Sequence, residues 1–186
     1  MLNFWFWGFF LLAALLFAGK MIYAISTALV LPATQGALYV STSTARVKAF
    51  LDAVEMQPGQ LLVDLGCGDG RVLCSASDRY GVRAVGFELN PWAYLRARLR
   101  CLGKKRVRVV PGNFWKADLR KADVIFCYLF PDVMERLAEK IQKEAKPGAV
   151  VVSCNFPVPG LFSQQVLRPM GGLHSDPIFI YIIGSV

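Results

Sequence analysis

The first 31 residues hold a run of apolar side chains that is too long and too uncharged for an ordinary soluble fold. Of these residues 25 are hydrophobic, and the only charge is Lys20. Leu2–Gly19 has 18 residues without a charge, and a helix of that length measures about 27 Å, close to the ~30 Å hydrocarbon core of a bilayer. The remaining 155 of the 186 residues are about half hydrophobic, as in a globular domain. The chain therefore divides into an apolar segment and a folded domain.

The apolar segment is interpreted as a single membrane-spanning anchor. Trp5 and Trp7 suit the aromatic belt at one interface, and Lys20 can snorkel at the other. A cleaved signal peptide usually carries Lys or Arg before its apolar run, and none precedes this one. A cleaved signal and a buried or interfacial helix stay open as alternatives. Basic residues follow the span, so the positive-inside rule places the domain on the cytoplasmic side, or on the matrix side in a mitochondrion.

Composition excludes several classes for the rest of the chain. A disordered protein, a multi-span transporter and a disulfide-framed secreted module do not fit one apolar segment followed by an ordinary globular composition. The five cysteines are odd in number and form no CxxC pair, which indicates free thiols in a reducing compartment. The single histidine, His174, has no ligand partners at metal-binding spacing, so we expect no metal site. The predicted division is residues 1–31 as the anchor, 32–40 as a linker and 41–186 as the domain.

Short apolar runs alternate with helical patterns along the domain. Four helices are predicted, one capped within Ser41–Thr44, then Arg71–Tyr80, Pro91 to Gly103, and Asp132–Ala145. Five strands are predicted, at Leu61–Leu65, Arg83–Glu88, Arg106–Val110, Val124–Leu129 and Ala149–Ser153. This alternation predicts an α/β fold with a doubly wound, mostly parallel sheet. Two last strands, Gln165–Leu167 and Ile178–Ile183, surround a Gly171-Gly172 turn without an intervening helix, so they predict a C-terminal antiparallel hairpin.

A glycine loop, Asp64-Leu65-Gly66-Cys67-Gly68-Asp69-Gly70, joins the first strand to the next helix. Glycines here allow a sharp turn and close approach to a ligand at the carboxyl end of the strand. A dinucleotide fingerprint needs Gly or Ala where Arg71 stands, and a P-loop needs Gly-Lys-Ser/Thr, which is absent. Asp64 and Asp69 would repel a pyrophosphate but suit a cationic ligand. S-adenosylmethionine, which carries an ammonium and a sulfonium, fits this loop.

Two further strand ends carry polar or aromatic residues suited to an adenosine. Glu88 ends the second predicted strand, where a carboxylate can accept both ribose hydroxyls. Asn113 and Phe114 follow the third strand, where the amide can hydrogen-bond the adenine edge and the ring of Phe114 or of Trp92 can cover its face. The alternative is that Asn113 is a turn residue and both aromatic residues belong to the core.

These motifs resemble the class I, seven-strand S-adenosylmethionine-dependent methyltransferases, whose fold is Rossmann-like. The residues that carry the resemblance are Asp64–Arg71, Gly86–Pro91, the Gly112-Asn113 pair and the late hairpin. The resemblance covers about residues 40–186 and implies S-adenosyl-L-methionine as cofactor. It also implies that Gly66, Gly68, Gly70, Asp64, Asp69 and Glu88 bind it.

A narrower resemblance is to the protein-lysine methyltransferases of mitochondria and prokaryotes. It is carried by the anchor and by the runs Tyr39-Val40 with Ser43, Glu88–Trp92, Asn113–Leu119 and Ser153–Pro159. Mitochondrial members of this family methylate the adenine nucleotide translocase and the c-subunit of the ATP synthase. The resemblance implies that Tyr39 and Ser43 close over the cofactor, whereas the plain alternative is a linker residue and a helix cap.

The residues that would receive the acceptor follow the fourth strand, at Cys127-Tyr128-Leu129-Phe130-Pro131. Many amino-methylating relatives carry an Asp/Asn-Pro-Pro-Tyr/Phe pattern here, and this chain lacks its leading Asp or Asn. That departure argues against a standard DNA-adenine or glutamine methyltransferase. The Tyr128 hydroxyl or backbone carbonyls of Cys127 and Tyr128 can take the place of the missing side chain, which makes Tyr128 the candidate catalytic residue.

Seven basic residues and no acid lie between Arg96 and Arg108. Such a stripe suits anionic lipid, a solvated helix face or nucleic acid, although no aromatics interleave it as in single-strand binders. With the anchor, the stripe favours contact with the membrane surface. The resemblance and the anchor together predict a methyltransferase that acts on lysines of a membrane or membrane-associated protein, with the bilayer and a protein substrate as partners. A small-molecule, lipid or RNA methyltransferase and a non-catalytic S-adenosylmethionine-binding module are the rival functions. The sequence does not establish the oligomeric state.

Overall fold

A computed structural model describes residues 2–30, 42–169 and 176–184. Within it the chain forms two compact units, Met1–Tyr39 and Val40–Val186. The predicted contacts of Tyr39 and the Gly171-Gly172 turn lie outside the described residues.

The first unit contains one long helix, α1 (Leu2–Val30). Its window Trp5–Ser26 has 22 residues and a mean hydropathy of 2.0, and every residue in it except Gly19 and Ser26 is exposed. Large apolar side chains such as Trp5, Phe9 and Leu15 are exposed. A helix of this length that is apolar on every side has the length and composition of a membrane span.

The second unit is built on a seven-stranded sheet with the order β3-β2-β1-β4-β5-β7-β6. Strands β1 to β5 are parallel, and β7 is antiparallel to both of its neighbours. The strands are β1 (Leu61–Leu65), β2 (Arg83–Glu88), β3 (Val107–Pro111), β4 (Val124–Cys127), β5 (Val150–Cys154), β6 (Gln165–Leu167) and β7 (Ile178–Ile182). The predicted mostly parallel α/β sheet with a C-terminal antiparallel pair is therefore confirmed. The strand order reverses between β1 and β4, the crevice where open α/β sheets bind ligands.

Helices cover both faces of the sheet. They are α2 (Thr44–Ala53), α3 (Arg71–Tyr80), α4 (Pro91–Arg100) and α5 (Met134–Glu144). Alternate β1 residues point to opposite faces, so Leu62 packs with apolar side chains of α2 and α3, whereas Val63 packs with those of α5. Local signals place the helix starts: Ser43 caps α2 through Arg46 N, and Asn90 caps α4 just before Pro91.

Two predicted boundaries on the site side were wrong by two residues. Strand β4 ends at Cys127 rather than Leu129, because its last partner on β1 is Leu65 and the β1 chain then turns into the glycine loop. Helix α5 begins at Met134 rather than Asp132, because Pro131–Val133 forms a separate 3-10 turn. The residues after β4 are thereby freed from the sheet and lie beside the glycine loop.

Candidate active site

The glycine loop is bound to the end of the neighbouring strand. The backbone N–H groups of Gly66 and Cys67 both donate to the carbonyl of Phe87, at 3.0 and 2.9 Å. Gly66 and Gly68 have φ of +92° and +56°. Residues other than glycine rarely adopt this backbone conformation. The loop thus ends β1, crosses toward β2 and presents backbone to the crevice.

Close packing beneath the loop also depends on glycine. A Cβ on Gly86 of β2 would lie 2.5 Å from Cys67 Cβ and 2.5 Å from Leu73 Cδ1. A Cβ on Gly70, the N-cap of α3, would lie 3.2 Å from Ala97 Cβ on α4. Because Gly86 and Gly70 have no side chains, the loop, the strand and the helices can approach one another closely. This close packing fixes the height of the loop above the sheet.

Glu88 lies at the carboxyl end of β2 and is 8% exposed. One carboxylate oxygen accepts from Gly68 N at 2.8 Å, and the other accepts from Asn90 N at 2.8 Å. Its backbone carbonyl accepts from Gly112 N at 2.9 Å, which joins the end of β3 to the same place. Burial raises the pKa of Glu88, although the N–H groups of Asn90, Gly68 and Leu89 act in the opposite direction. The predicted ribose acceptor therefore also connects the glycine loop to the next two strand ends.

Asp64, at the end of β1, is 2% exposed. Among the described residues no hydrogen bond reaches its carboxylate. Burial, then the charges of Glu88 and Asp69, raise the pKa of Asp64 well above its usual value. A buried carboxylate near two others is costly in the unliganded protein, and a cationic ligand in the crevice would offset that cost.

Asp69 has a different environment from Asp64 and Glu88. Its carboxylate accepts from Arg71 Nε at 2.9 Å and Nη2 at 2.8 Å, and from Arg100 Nη2 at 3.0 Å. Burial opposes ionisation, but the hydrogen bonds and charge of Arg71 and the charge of Arg100 hold the pKa of Asp69 below its usual value. Its oxygens are thus engaged by arginines, and the prediction that Asp69 contacts the cofactor stays a prediction.

Asn113 and Phe114 lie directly after β3, at the same edge of the sheet. The Asn113 side-chain oxygen accepts from Trp115 N at 3.0 Å and caps the 3-10 turn Phe114–Lys116. Both side chains are partly exposed, and the Phe114 ring packs 4.7 Å from the Trp115 ring. The side-chain oxygen of Asn113 therefore has the role of a turn residue, which was the alternative reading. Its amide nitrogen and the Phe114 ring stay candidates for adenine contacts.

Tyr128 follows β4 on the other side of the crevice and is half-buried. The next residue, Leu129, lies 3.3 Å from the position that a Gly66 Cβ would occupy, so this segment adjoins the glycine loop. The Arg46 guanidinium lies 5.1 Å from the centre of the Tyr128 ring. The fold therefore brings Asp64, the glycine loop, Glu88 and the residues after β4 to one edge, as predicted. Ser43 caps α2 and accepts from Arg46 N at 3.3 Å, which is its plain alternative role.

Two arginines that organise this edge were not predicted. Arg71 donates to Asp69 and also to the Thr42 carbonyl at 2.7 Å, which attaches the chain before α2 to the glycine loop. Arg46 is 2% exposed, pairs with Asp176 and has a buried Nε without a hydrogen-bond partner. A signal existed for Arg46, because it shares the helical spacing of Val47 and Phe50 on the buried face of α2.

The residues at this edge fit S-adenosylmethionine. The loop has glycine at residues 66, 68 and 70, where no side chain would obstruct a ligand. Glu88 ends β2, where a carboxylate can accept ribose hydroxyls, and the buried carboxyl of Asp64 can oppose a cationic group. The glycine loop contains no Lys, Ser or Thr that could bind a phosphate group.

Comparison with known proteins agrees with this assignment. Residues 64–165 match the family described as the ANTKMT methyltransferase domain. The chain is 34% identical over 152 residues to a protein-lysine N-methyltransferase of Saccharolobus islandicus (strain REY15A), covering 79% of this chain and 94% of the relative. It is 30% identical to a lysine N-methyltransferase of the ATP synthase c-subunit from Xenopus laevis, covering 88% and 72%. It is 39% identical to an adenine nucleotide translocase lysine N-methyltransferase of Mus musculus, covering 65% and 54%.

A solved structure shares the fold over the same region. It is an RNA methyltransferase from Salinibacter ruber in complex with S-adenosyl-L-homocysteine, with a TM-score of 0.71 and 27% sequence identity. The similarity covers 79% of this chain and 96% of that chain. The bound demethylated cofactor in that relative supports S-adenosylmethionine as the ligand of this crevice.

Proposed function

Because the chain belongs to the family of the ANTKMT methyltransferase domain and is an S-adenosylmethionine-dependent methyltransferase, we propose that its acceptor is the ε-amine of a lysine in a membrane-associated protein. The observation that carries the proposal is the similarity over 94% of a protein-lysine N-methyltransferase. The crevice of the structure supports the proposal as well, because the buried carboxylates Asp64 and Glu88 lie on either side of the glycine loop there.

The residues of the crevice divide into those that hold the donor and those that receive the acceptor. When bound, S-adenosylmethionine supplies the methyl group. We assign its binding to Gly66, Gly68 and Glu88, with Asp64 providing the opposing charge, so that the chain positions the donor for in-line displacement. The contacts predicted for Tyr39, Ser43, Asp69, Gly70, Asn113 and Phe114 belong to the same proposal.

The acceptor side lies after β4. A lysine must lose its proton before it can be methylated, because an ammonium has no lone pair, and a desolvated channel lowers its pKa. The Tyr128 hydroxyl or the carbonyls of Cys127 and Tyr128 would accept hydrogen bonds from the neutral amine and direct its lone pair. Arg46, packed against the Tyr128 ring, limits the positions that this ring can take.

The proposed substrate class rests also on α1. We propose that residues 1–31 anchor the enzyme as a single-pass membrane protein, that 32–40 link the anchor to the domain, and that 41–186 act on the cytoplasmic side, or the matrix side in a mitochondrion. Basic residues on the C-terminal side of the span support that orientation. Tethering raises the effective concentration of membrane substrates around the domain.

Labelled methyl transfer tests this function. The full chain in detergent or vesicles is incubated with methyl-labelled S-adenosylmethionine and membranes from cells lacking the gene. We expect label in protein, recovered as methyl-lysine after hydrolysis, and none with a Glu88→Ala control. Label in lipid or in RNA would contradict the proposed acceptor, and tight cofactor binding without any transfer would indicate a binding module.

Cofactor affinity should decrease as pH falls through the raised pKa values of Asp64 and Glu88. The pKa values of Asp64 and Glu88 are raised mainly by burial, so both carboxylates take up protons at higher pH than exposed acids and then lose the charge that attracts the ligand. The stability of the unliganded domain should depend on pH in the opposite direction. The folded state holds these protons more tightly than the unfolded state, so their contribution to stability grows as pH falls through the raised pKa values. Calorimetric titration from neutral to mildly acidic pH measures the affinity.

Asp64→Asn is the matched variant for this pH profile. It should bind S-adenosylmethionine more weakly at neutral pH and show a flatter dependence on pH, because one titrating carboxylate is absent. A wild-type affinity that stays constant across this range would contradict the assignment.

A further inference from the structure

Helix α4 packs on the domain through its smallest side chains. Ala93 and Ala97 are 1% and 0% exposed, whereas Leu95, Leu99 and Leu102 are 47%, 64% and 79% exposed. At 100° per residue Leu95 and Leu99 fall within about 40° of each other, with the two alanines on the opposite side of the helix, and Leu102 lies in the turn that follows α4. An amphipathic helix that only covers its own domain shows the reverse arrangement. The outward leucines therefore form an apolar ridge, here called the leucine ridge.

Cations that have no acidic partner border the leucine ridge. Arg96 and Arg100 reach back to Asp69, and Lys104 pairs with Asp78. Within the described part of the chain, four other exposed cations, on α4 and in the segment that runs from it into β3, form no ion pair: Arg98, Lys105, Arg106 and Arg108. No Asp or Glu occurs from residue 89 to 117. The surface combines exposed apolar side chains with uncompensated positive charge.

The basic residues also line an open groove at the amino ends of β1, β2 and β3. Its volume is about 670 Å³, and its cationic lining residues are Arg83, Lys105, Arg106 and Arg108. This edge of the sheet is opposite to the glycine loop, so the groove lies outside the proposed active site. It continues the surface from the end of α4 with positions suited to phosphate oxygens.

We propose that the leucine ridge and its bordering cations form a docking surface for an anionic phospholipid bilayer. Leucines insert at the level of the acyl boundary while Lys and Arg contact the headgroups, as in interfacial amphipathic helices. Nucleic acid would match the charge but would leave the leucines in water. The inference rests on the proposed anchor. Thirteen residues lie between Val30 and Thr44, so the domain stays within about 45 Å of the end of the span.

Docking through α4 would orient the active site. The helix begins at Pro91, three residues after Glu88, and runs away from the crevice toward the groove. A helix lying in the plane of the interface would hold the crevice beside the membrane surface, within reach of lysines in loops close to the headgroups.

Fluorescence from one labelled cysteine tests the docking surface in the full chain. All five native cysteines are buried, so a cysteine at Leu99→Cys can be labelled selectively with an environment-sensitive fluorophore. The full chain is inserted into nanodiscs of phosphatidylcholine with or without phosphatidylglycerol, each carrying spin-labelled lipid as quencher. We expect strong quenching with the anionic lipid and weaker quenching without it. The same label at Glu139→Cys, exposed on α5 on the other face of the sheet, should not be quenched.

Charge reversal at Arg98, Lys105 and Arg106 supplies the second variant. Each cation near an anionic surface contributes about fivefold, so the loss of three should lower the ratio of docked to undocked domain by about 100-fold, and the repulsion of the three added acids should lower it further. S-adenosylmethionine affinity should not change, which shows that the domain remains folded. Absence of quenching at residue 99 in anionic nanodiscs that retain the chain would overturn the docking surface while the anchor stands. If added RNA changed the fluorescence of the label at residue 99 and spin-labelled lipid did not quench it, the surface would be assigned to nucleic acid. Failure of the chain to stay with nanodiscs would refute the anchor and this inference together.

Discussion

Glu88→Ala is expected to weaken S-adenosylmethionine binding by at least about 100-fold, because each charge-assisted hydrogen bond to a ribose hydroxyl contributes about 1.5–3 kcal/mol. The side chain also accepts from Gly68 N and Asn90 N, so its removal loosens the glycine loop and the start of α4. Removing a desolvated carboxylate offsets part of that loss, and the domain should remain folded. Calorimetric titration gives the affinity, and thermal unfolding reports on the fold.

Two further variants separate charge from general perturbation at this position. Glu88→Asp keeps the charge but withdraws the carboxylate by one methylene, so its affinity should fall between those of the wild type and Glu88→Ala. Glu139→Ala removes an exposed glutamate from α5 and should leave the affinity unchanged. Unchanged binding by a folded Glu88→Ala protein would refute the assignment of Glu88 to the cofactor.

Gly86→Ala is expected to destabilise the domain by about 3 kcal/mol, at the upper end of the usual cost of overpacking a core. The new methyl group would lie 2.5 Å from Cys67 Cβ and from Leu73 Cδ1. The Leu73 side chain can rotate, but a Cβ moves only with its backbone, so Cys67 must shift and carry the glycine loop with it. The melting temperature should fall by about 10 °C, and S-adenosylmethionine affinity should fall with it.

Gly103→Ala is the matched control for this substitution. Gly103 has φ +78°, and no atom lies within 4 Å of the position that a Cβ would occupy there. Alanine at this position should therefore cost only the backbone strain, about 1 kcal/mol of stability. If Gly86→Ala melted at the same temperature as Gly103→Ala, the close packing of β2 beneath the loop would not be a main source of stability.

Most of the sheet could be predicted because its strands are short apolar runs bounded by Gly and Pro. Strand β1, helix α3 and strand β2 occupy the predicted residues, since Pro58-Gly59, the glycine loop and Gly81 mark their ends. The end of β4 could not be predicted, because Tyr128 and Leu129 continue its apolar pattern. Their release from the sheet depends on the path of a different segment, the glycine loop after β1.

The site was predictable at the level of strand ends and not at the level of side-chain partners. Parallel strands place Asp64, Glu88 and Asn113 at one edge whatever the details of packing. The partners of Asp69 arise from two helices that converge on it, and sequence spacing alone does not show that Arg100 of α4 reaches a loop 31 residues earlier. The outward orientation of the α4 leucines could not be predicted from the sequence either, because an apolar helical pattern is normally assigned to the core.

Mass spectrometry of membrane proteins, from cells that carry the gene and from cells that lack it, tests the proposed lysine methylation in the setting where it would occur. We expect a membrane-associated protein whose lysine is methylated only when the gene is present. The modification should be restored by the wild-type chain and not by Glu88→Ala. Identical lysine methylation in both kinds of cell, with a methyl group missing from a lipid or an RNA instead, would contradict the proposed function.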